Sequence, residues 1–321
     1  MSGTPTTSLP RFVAQRALLA VPVLAVIAVL TFTLSRLAPG TPATLMLGEG
    51  ASEEQVRHLT ERWGLDEPIY IQFGLWLRNL LQGDLGESIR FGGPVLEMIG
   101  QHIGPTISIA LLGLLIVIVI GIPFGLLAGH FRGTVLDRGL MGSTFVGMSV
   151  PEFWLAMLLV LGGGVHLGWF PVSGYTSPGE SITGWLMAII LPAIALSIDQ
   201  VALVARMVRD SVVTTSNEPW VTSLRARGLA SSSVVGRHQL KSALVTAITV
   251  IGNAFGGFIT AAVVVEIVFN ISGFGWLTVE AALQRDYPLL LGVVLVAAFA
   301  YVLVNLVVDA LYAVIDPRIR A

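Results

Sequence analysis

The chain of 321 residues is 54% hydrophobic and only 12% charged, about half the charged fraction of ordinary soluble proteins. Water alone cannot solvate such a surface, so the composition predicts an integral membrane protein. The chain contains no cysteine, which excludes disulfides, thiolate metal sites and a thiol nucleophile. Its five histidines show no ligand spacing on one helix, so no metal site is expected.

Apolar segments long enough to span a bilayer recur along the chain. A helix needs about 20 apolar residues to cross about 30 Å of hydrocarbon. The first such segment exceeds the length of a signal-peptide core and lacks a small-residue cleavage site, so we expect it to be retained. Pro151 and Glu152 interrupt the third, because proline removes a backbone donor. The sequence thus predicts an all-α protein with six transmembrane helices, near 17–37, 106–129, 144–165, 185–208, 245–269 and 289–315.

The distribution of Lys and Arg between these spans predicts their orientation. The two short loops on the side opposite the N terminus, 166–184 and 270–288, contain only Arg285. The N-terminal side carries twelve basic residues, and we therefore expect both termini to be cytoplasmic. These residues are Arg11, Arg16, Arg132, Arg138, Arg206, Arg209, Arg225, Arg227, Arg237, Lys241, Arg318 and Arg320.

The expected domain organisation follows from the spans. Two short tails flank the membrane part, and a long extracytoplasmic insertion separates the first helix from a core of five further helices. The predicted units are a disordered cytoplasmic tail at 1–10, the first transmembrane helix at 11–37, the insertion at 38–105, the core at 106–315 and a cytoplasmic tail at 316–321.

The insertion at 38–105 contains one helix pattern. Ser52 and Gln55 have the spacing of a capping box, and Val56, Leu59 and Trp63 then fall on one helical face. Two interpretations remain open for this segment. It could be an ordered cap that seals helix ends, or a docking surface for an extracytoplasmic protein, with Val56, Leu59, Trp63 and Asp84 as contacts.

The segment between the fourth and fifth spans, 209–244, contains a short predicted helix within Pro219–Leu229. Proline suits its first turn, and Gly228 suits its end. Trp220, Val221 and Leu224 form a small apolar face. The helix could rest on lipid headgroups, or it could fit a cleft in a cytoplasmic subunit.

Ionisable residues inside spans cost about 2.5–3.5 kcal/mol each on insertion scales, so they are functional candidates. Asp199 and Gln200 lie in the middle of the fourth span, where Asp199 could meet a substrate amine or form a hydrogen bond to Asn253 or Asn305. Glu266 and Asp309 lie nearer to span ends, which favours structural roles. The translocation-path candidates are Asp199, Gln200, Asn253 and Glu266.

Several polar blocks together identify a family. The loop block Arg225-Ala226-Arg227-Gly228, followed by Arg237 to Leu244, resembles the coupling loop of binding-protein-dependent ABC (ATP-binding cassette) permeases. The oligopeptide and dipeptide branch is the most similar. Pro219, Leu224 and Thr246 depart from the residues that are common in that loop. Further resemblances are at Arg36–Gly40, Gly64–Pro68, Gly83–Gly86, Glu266–Phe269, Ser272–Gly275, Arg285–Pro288 and Asp316–Arg318.

The resemblance implies the type I ABC importer permease fold and a place in a larger assembly. The implied partners are a second homologous permease, two ABC ATPase subunits that bind ATP and magnesium, an extracytoplasmic solute-binding protein and the lipid bilayer, but no nucleic acid. It also implies that a coupling helix contacts the ATPase subunit. The residues expected to make that contact are Trp220, Val221, Leu224, Arg225, Arg227 and Gly228.

The expected function is import of di- and oligopeptides across the plasma membrane, without an enzymatic activity of this chain. The sequence has no phosphate-binding Gly-x-x-x-x-Gly-Lys-Ser/Thr loop, so another chain must hydrolyse ATP. Haem, nickel chelates and glutathione remain alternative solutes. An intramembrane hydrolase is less favoured, because Ser149 has no histidine placed to activate it. An ion-coupled carrier would not need a helix that engages an ATPase.

Overall fold

The computed structural model describes residues 9–37, 52–62 and 66–315, and in these ranges the chain forms helices without a β-strand. The predicted all-α fold is confirmed. Short π-helical stretches at Val117–Gly121, Val160–His166 and Val234–Gln239 continue neighbouring helices. The α-helices are α1 Leu9–Leu37, α2 Glu53–Arg62, α3 Ile69–Leu81, α4 Val95–Ile116, α5 Ile122–His130, α6 Val135–Ser149, α7 Glu152–Leu159, α8 Ile182–Thr215, α9 Pro219–Ala226, α10 Ser231–Ser233, α11 Leu240–Val268, α12 Phe274–Leu283 and α13 Tyr287–Ile315.

Five helical segments in the described residues are long and apolar enough to cross a membrane, and a bent pair of helices can supply a sixth span. The bent pair replaces the third predicted span, 144–165, and begins earlier, at Val135. Its two halves meet at 100° beside Pro151. Val150 and Pro151 have extended backbone conformations there, as expected for a proline and the residue before it. The remaining five segments are Leu9–Leu34, Val95–His130, Ile182–Thr215, Val250–Val268 and Tyr287–Ala310.

Helix α8 is the centre of the fold. In its most apolar window 61% of the residues are buried, against 17% in α1 and 11% in α13. Helices α4, α5, α6, α7 and α11 all pack on α8. The contact with α5 is close because glycines face it: a Cβ on Gly129 would lie 2.7 Å from Val212, and one on Gly125 would collide with the Ala205 carbonyl. Small residues allow such backbone approach in lipid.

A second glycine pair joins α11 to α13. The spacing of Gly252 and Gly256 predicts a helix contact, either with a partner permease or with another helix. In the structure a Cβ on Gly252 would lie 2.5 Å from Val308, and one on Gly256 would lie 3.1 Å from Tyr301. The pair therefore serves the packing of two helices of the same chain.

Helix α1 lies on the outside of the bundle and packs against α13. Arg16 and Asp309 form an ion pair of 3.4 Å between them, which gives Asp309 a structural role. Helix α3 is held to α1 by aromatic contacts: the ring centroid of Phe32 is 5.2 Å from that of Phe73 and 5.6 Å from that of Trp76. These contacts join the middle of the predicted insertion to the membrane part.

Helix α2 begins with the predicted capping box. The Ser52 amide donates to Gln55 Oε1 at 3.0 Å, and the Gln55 amide donates to Ser52 Oγ at 3.3 Å. Two orphan amides at the helix start are thereby satisfied. Trp63 and the side chains of Val56 and Leu59 lie outside the described parts of the structure.

Candidate partner-contact helix and membrane cavity

The short predicted helix between the fourth and fifth spans is present as α9, Pro219–Ala226. Proline occupies its first turn, where no amide is needed. At its end the Gly228 amide donates to the Arg225 carbonyl at 2.9 Å, and the Leu229 amide donates to the Leu224 carbonyl at 3.3 Å. This is a Schellman motif, and Gly228 has the positive φ of +82° that such an end requires. The sequence therefore determines both ends of α9.

The side chains of α9 divide into an inward and an outward set. Val221 is fully buried and Leu224 is half-buried, whereas Trp220 keeps 39% of its surface exposed. Arg225 and Arg227 are exposed. Within the described residues, neither guanidinium has an ion pair or a hydrogen bond from its side chain. The helix thus presents an indole and two free cations to its surroundings.

A buried glutamine supports α9 from behind, and sequence reasoning did not assign it a role. Gln239 is fully buried at the end of the π-helical stretch on which α9 packs. Its side-chain nitrogen lies 3.1 Å from the Val212 carbonyl and 3.0 Å from both Thr215 Oγ1 and Ser216 Oγ, so its two hydrogens are shared among three acceptors. The residue before α11 is thereby bonded to the last turn of α8.

An ion pair adds a second connection at the same end of the bundle. Arg209 of α8 donates to both carboxylate oxygens of Asp137 on α6, at 2.7 and 2.9 Å. Asp137 is buried and also accepts from the Gly133 amide at 2.9 Å. In the sequence Arg209 is only one of many basic residues on that side, and 72 residues separate it from Asp137, so no spacing rule could pair them.

A cavity of about 300 Å³ lies between α7, α8 and α11 and collects polar side chains at span depth. It brings together three of the four predicted path candidates, Asp199, Gln200 and Asn253. The cavity also includes Glu152. From the sequence, the simpler expectation for this residue is that it bonds backbone donors freed by the kink at Pro151. The remaining lining residues are mainly apolar: Leu203, Val250, Ala254, Gly257, Phe258 and Ala261.

The Asp199 carboxylate is bonded to its neighbour. It accepts from the Gln200 backbone amide at 2.7 Å and from Gln200 Nε2 at 2.8 Å. No hydrogen bond joins Asp199 to Asn253 or Asn305, the two helix-to-helix partners considered from sequence. The carboxylate therefore lines the cavity and is not used in either of these contacts between helices.

Glu266, the fourth path candidate, lies elsewhere. It is fully buried, and its carboxylate accepts from Thr106 Oγ1 and from the Trp276 amide, the latter at 2.8 Å. Thr106 Oγ1 in turn accepts from the Phe274 amide at 2.8 Å. Glu266 thus satisfies the N terminus of α12, where a carboxylate also opposes the helix dipole. Gly273 is required beside it, because a Cβ there would collide with the carboxylate.

A second buried carboxylate holds the predicted insertion to the same end of the bundle. Asp286 accepts from Ser88 Oγ at 2.5 Å and from the Arg90 amide at 3.0 Å, and it also bonds the Leu289 amide at the start of α13. Asp84, a docking candidate, is exposed and accepts from the Gly86 amide at 2.8 Å. The turn 84–94 is therefore fixed against the bundle.

The helical arrangement defines the class of protein. It is similar to a chain of the MetNI methionine ABC transporter in an inward-facing conformation, with a TM-score of 0.57, 16% identity, and coverage of 69% of this chain and 97% of that one. At this identity the likeness concerns the fold, which is the type I ABC importer permease fold.

The sequence comparisons then identify the family. Residues 121–321 match the binding-protein-dependent transport system inner membrane component, and residues 9–110 match the N-terminal part of such membrane components. The chain belongs to this family of permease subunits of ABC importers, in which transport rather than enzymatic catalysis is the role of this subunit.

The chain is similar to named permease proteins over almost their whole length. A Brucella abortus protein named as a peptide transport system permease is 41% identical, over 95% of this chain and 98% of the relative. The oligopeptide transport system permease protein AppB of Bacillus subtilis is 35% identical, over 96% and 99%. The dipeptide transport system permease protein DppB of Alkalihalophilus pseudofirmus is 35% identical, over 95% and 98%.

Proposed function

We propose that this chain is one of two pore-forming subunits of an importer that moves di- and oligopeptides into the cytoplasm. Relatives of 35–41% identity that carry peptide, oligopeptide and dipeptide permease names support the substrate class. The other pore subunit is a homologous permease. Two ABC ATPase subunits bind ATP and magnesium, and an extracytoplasmic binding protein delivers the peptide.

The membrane orientation is part of the proposal. Both termini and α9 face the cytoplasm, and α12 and the insertion face the opposite side. The twelve basic residues on the N-terminal side, against Arg285 alone in the two short opposite loops, support this orientation. The insertion at 38–105 is the only large segment that the sequence places on that outer side, and we assign the binding-protein contact to it. The contact residues in this proposal are Val56, Leu59, Trp63 and Asp84.

The observation that carries the ATPase contact is the surface of α9. A solvated helix has no need of a half-exposed indole beside two free guanidinium groups, whereas a cleft in an ATPase subunit can bury the first and pair the others. Trp220, Leu224, Arg225 and Arg227 make this contact, with Val221 and Gly228 shaping the helix. Closure of the ATPase pair on nucleotide then moves α9, and the spans tilt to alternate the access of the pathway.

The cavity beside α8 is the part of the translocation path that this chain contributes. Its carboxylates at Asp199 and Glu152 suit the protonated amine of a peptide, and the amides of Gln200 and Asn253 suit its backbone groups. Its volume is at the lower end of the range of small-ligand sites. Glu266 stays outside this path in our proposal, because its carboxylate is used to hold α12.

The experiment is uptake into proteoliposomes that contain the assembled importer, with ATP supplied on the ATPase side. Labelled di- and tripeptides are offered with the binding protein, and haem, a nickel chelate and glutathione are offered in parallel. We expect ATP-dependent accumulation of peptide, and we expect that the other solutes do not inhibit it by competition. Accumulation of haem, nickel chelate or glutathione without peptide would contradict the proposed substrate.

The path assignment is tested with the same liposomes. Asp199→Asn should lower the uptake of a tripeptide with a free amine about fivefold, because a charge-assisted hydrogen bond is lost. Uptake of the same peptide acetylated at its amine should be unchanged. Asp210→Asn, an exposed carboxyl on the same helix, is the matched control and should affect neither peptide. An equal effect of Asp199→Asn on both peptides would contradict contact with the amine.

A further inference from the structure

The two ends of the loop that carries α9 are joined by one side chain. Helix α8 ends at Thr215, and α11 begins at Leu240. Gln239, immediately before α11, shares the two hydrogens of its side-chain amide among three acceptors on the last turn of α8 and its C-cap, at Val212, Thr215 and Ser216. We propose that Gln239 is a positioning residue that makes α8, α9 and α11 move as one body when α9 is displaced. This inference rests on the proposed contact between α9 and an ATPase.

The Gln239 side chain is buried, and one of its polar atoms is unsatisfied in the described part of the chain. Gln239 is fully buried, and its carbonyl oxygen Oε1 lacks a hydrogen-bond partner within the described residues. A buried polar atom without a partner costs about 1–3 kcal/mol, so an apolar residue would suit this position better for stability alone. The glutamine is therefore better explained by what its amide connects than by the stability it adds.

The acceptors do not need Gln239 for their own satisfaction. The Val212 carbonyl already accepts from the Ser216 amide at 3.0 Å and from Ser216 Oγ at 2.7 Å. The hydroxyl of Thr215 donates to the Ser211 carbonyl at 2.8 Å. Removing the glutamine amide thus leaves no new unpaired group on α8, and its loss removes a link rather than damaging a helix.

Gln239 lies at the end of the π-helical stretch against which α9 packs, so a displacement of α9 is transmitted to it. Val221 of α9 and Val234 and Val235 of the π-helical stretch are buried, and α9 packs against that stretch. Apolar contacts alone allow sliding, whereas hydrogen bonds between loop ends fix their distance. With Gln239 in place, a force on α9 reaches α8, the most buried span, and α11 together, and these two helices line the cavity.

The test replaces Gln239 with methionine, which is unbranched, of similar length and without hydrogen-bonding groups. In the reconstituted importer we expect peptide import to fall about fivefold while the rate of ATP hydrolysis changes less than about twofold. More ATP is then hydrolysed for each peptide imported. Gln101→Met, at an exposed position on α4, is the matched control and should keep the wild-type ratio. An unchanged ratio in Gln239→Met would overturn the proposal.

A second measurement does not depend on the substrate. Because the chain has no cysteine, Ser223→Cys places a single nitroxide label on the exposed side of α9. In the assembled importer Gln239→Met should increase the mobile fraction of the spin-label spectrum, and an unchanged spectrum would refute the link. If wild-type liposomes import no peptide, the proposed substrate fails, and this spectrum still decides the role of Gln239.

Variants on α8 cover the case in which Gln239→Met does not assemble. Thr215→Val and Ser216→Ala each remove one acceptor and leave residue 239 intact. Each should raise the ATP hydrolysed per imported peptide about twofold, and in combination with Gln239→Met they should add little, because the same link is already broken. Wild-type ratios in both single variants would exclude the proposed link.

Discussion

The buried carboxylates near one end of α11 differ from the exposed cations of α9 near its other end. At the α12 end, Glu266 and Asp286 are fully buried, and each carboxylate accepts hydrogen bonds from other segments of the chain. At the α9 end, Arg225 and Arg227 are exposed and have no side-chain partner among the described residues. Helix α11 has 29 residues, about 43 Å, so the two ends are far apart.

This difference separates structure from interaction. A network in which every group has its partner stabilises the fold and needs no second protein. Charges that have no partner in the described part of the chain, beside a half-exposed indole, are available to a partner protein. Removal of the buried carboxylates at the α12 end should therefore lower stability, and changes to the exposed cations of α9 should lower transport at constant stability.

The largest effect is expected from reversing both cations of α9. Arg225→Glu combined with Arg227→Glu should lower peptide import by more than about tenfold, because two charge pairs with the ATPase become repulsive. The free energy of unfolding should change by less than about 0.5 kcal/mol, since neither exposed side chain has an ion pair or a side-chain hydrogen bond among the described residues. Import assays and denaturant titration of the purified subunit measure the two quantities.

Ser232→Glu adds a negative charge on the neighbouring one-turn helix α10 and is the control for charge alone. It should leave import near the wild-type rate. Equal losses in both variants would mean that the net charge of the loop, not the surface of α9, is recognised.

Removal of the Glu266 carboxylate should be the most damaging single change for stability. Glu266→Ala leaves Thr106 and the Trp276 amide without their acceptor and lowers the free energy of unfolding by about 3 kcal/mol. Glu97→Ala, at an exposed position in the first turn of α4, should cost less than about 0.5 kcal/mol. If Glu266→Ala kept full stability but altered peptide preference, Glu266 would belong to the path after all.

Asp286 should show the same behaviour on a smaller scale. Asp286→Ala releases Ser88 and the Arg90 amide and should lower the free energy of unfolding by about 2 kcal/mol. It should also expose the turn 84–94 to proteolysis. Asp84→Ala is the control, because that exposed carboxylate bonds only within its own turn. Unchanged protection of the turn in Asp286→Ala would show that other contacts hold it.

The smallest effect is expected at the end of α9. Gly228→Ala places a Cβ on a residue with φ of +82° and should cost about 1 kcal/mol, felt within α9 and its Schellman motif. Import should fall about twofold, because the position of Arg227 shifts. Gly236→Ala is the matched control: that glycine has no positive φ and open space around it, so import should not change.

Local patterns in the sequence were enough for most elements of the fold. The capping box at Ser52 and Gln55 and the proline and Gly228 at the ends of α9 act within one helix or one turn. Each was therefore predictable without knowledge of neighbouring helices. The glycine spacing of α11 predicted a helix contact but not its partner, α13. The bend at Pro151 was predictable as an interruption, but its angle of 100° was not, because packing on α8 contributes to it.

The polar contacts between distant segments were not predictable in this way. Gln239, with its acceptors 23 to 27 residues away, and the pair of Asp137 and Arg209 have no local spacing that links them. Among the path candidates, the position along the span favoured a structural role for Glu266 and left two roles open for Asp199. The packed structure supplied the details: Asp199 lies beside a cavity, and Glu266 holds the N terminus of α12.

The sequence by itself determined that this is a membrane protein with an all-α fold, and its polar blocks indicated the family. Apolar length and local capping act along the chain, so these properties needed no knowledge of the packing. The tertiary structure decided which polar residues serve each other. Hydrogen bonds inside the bundle depend on which helix faces meet, and that is a property of the packed arrangement rather than of any one segment.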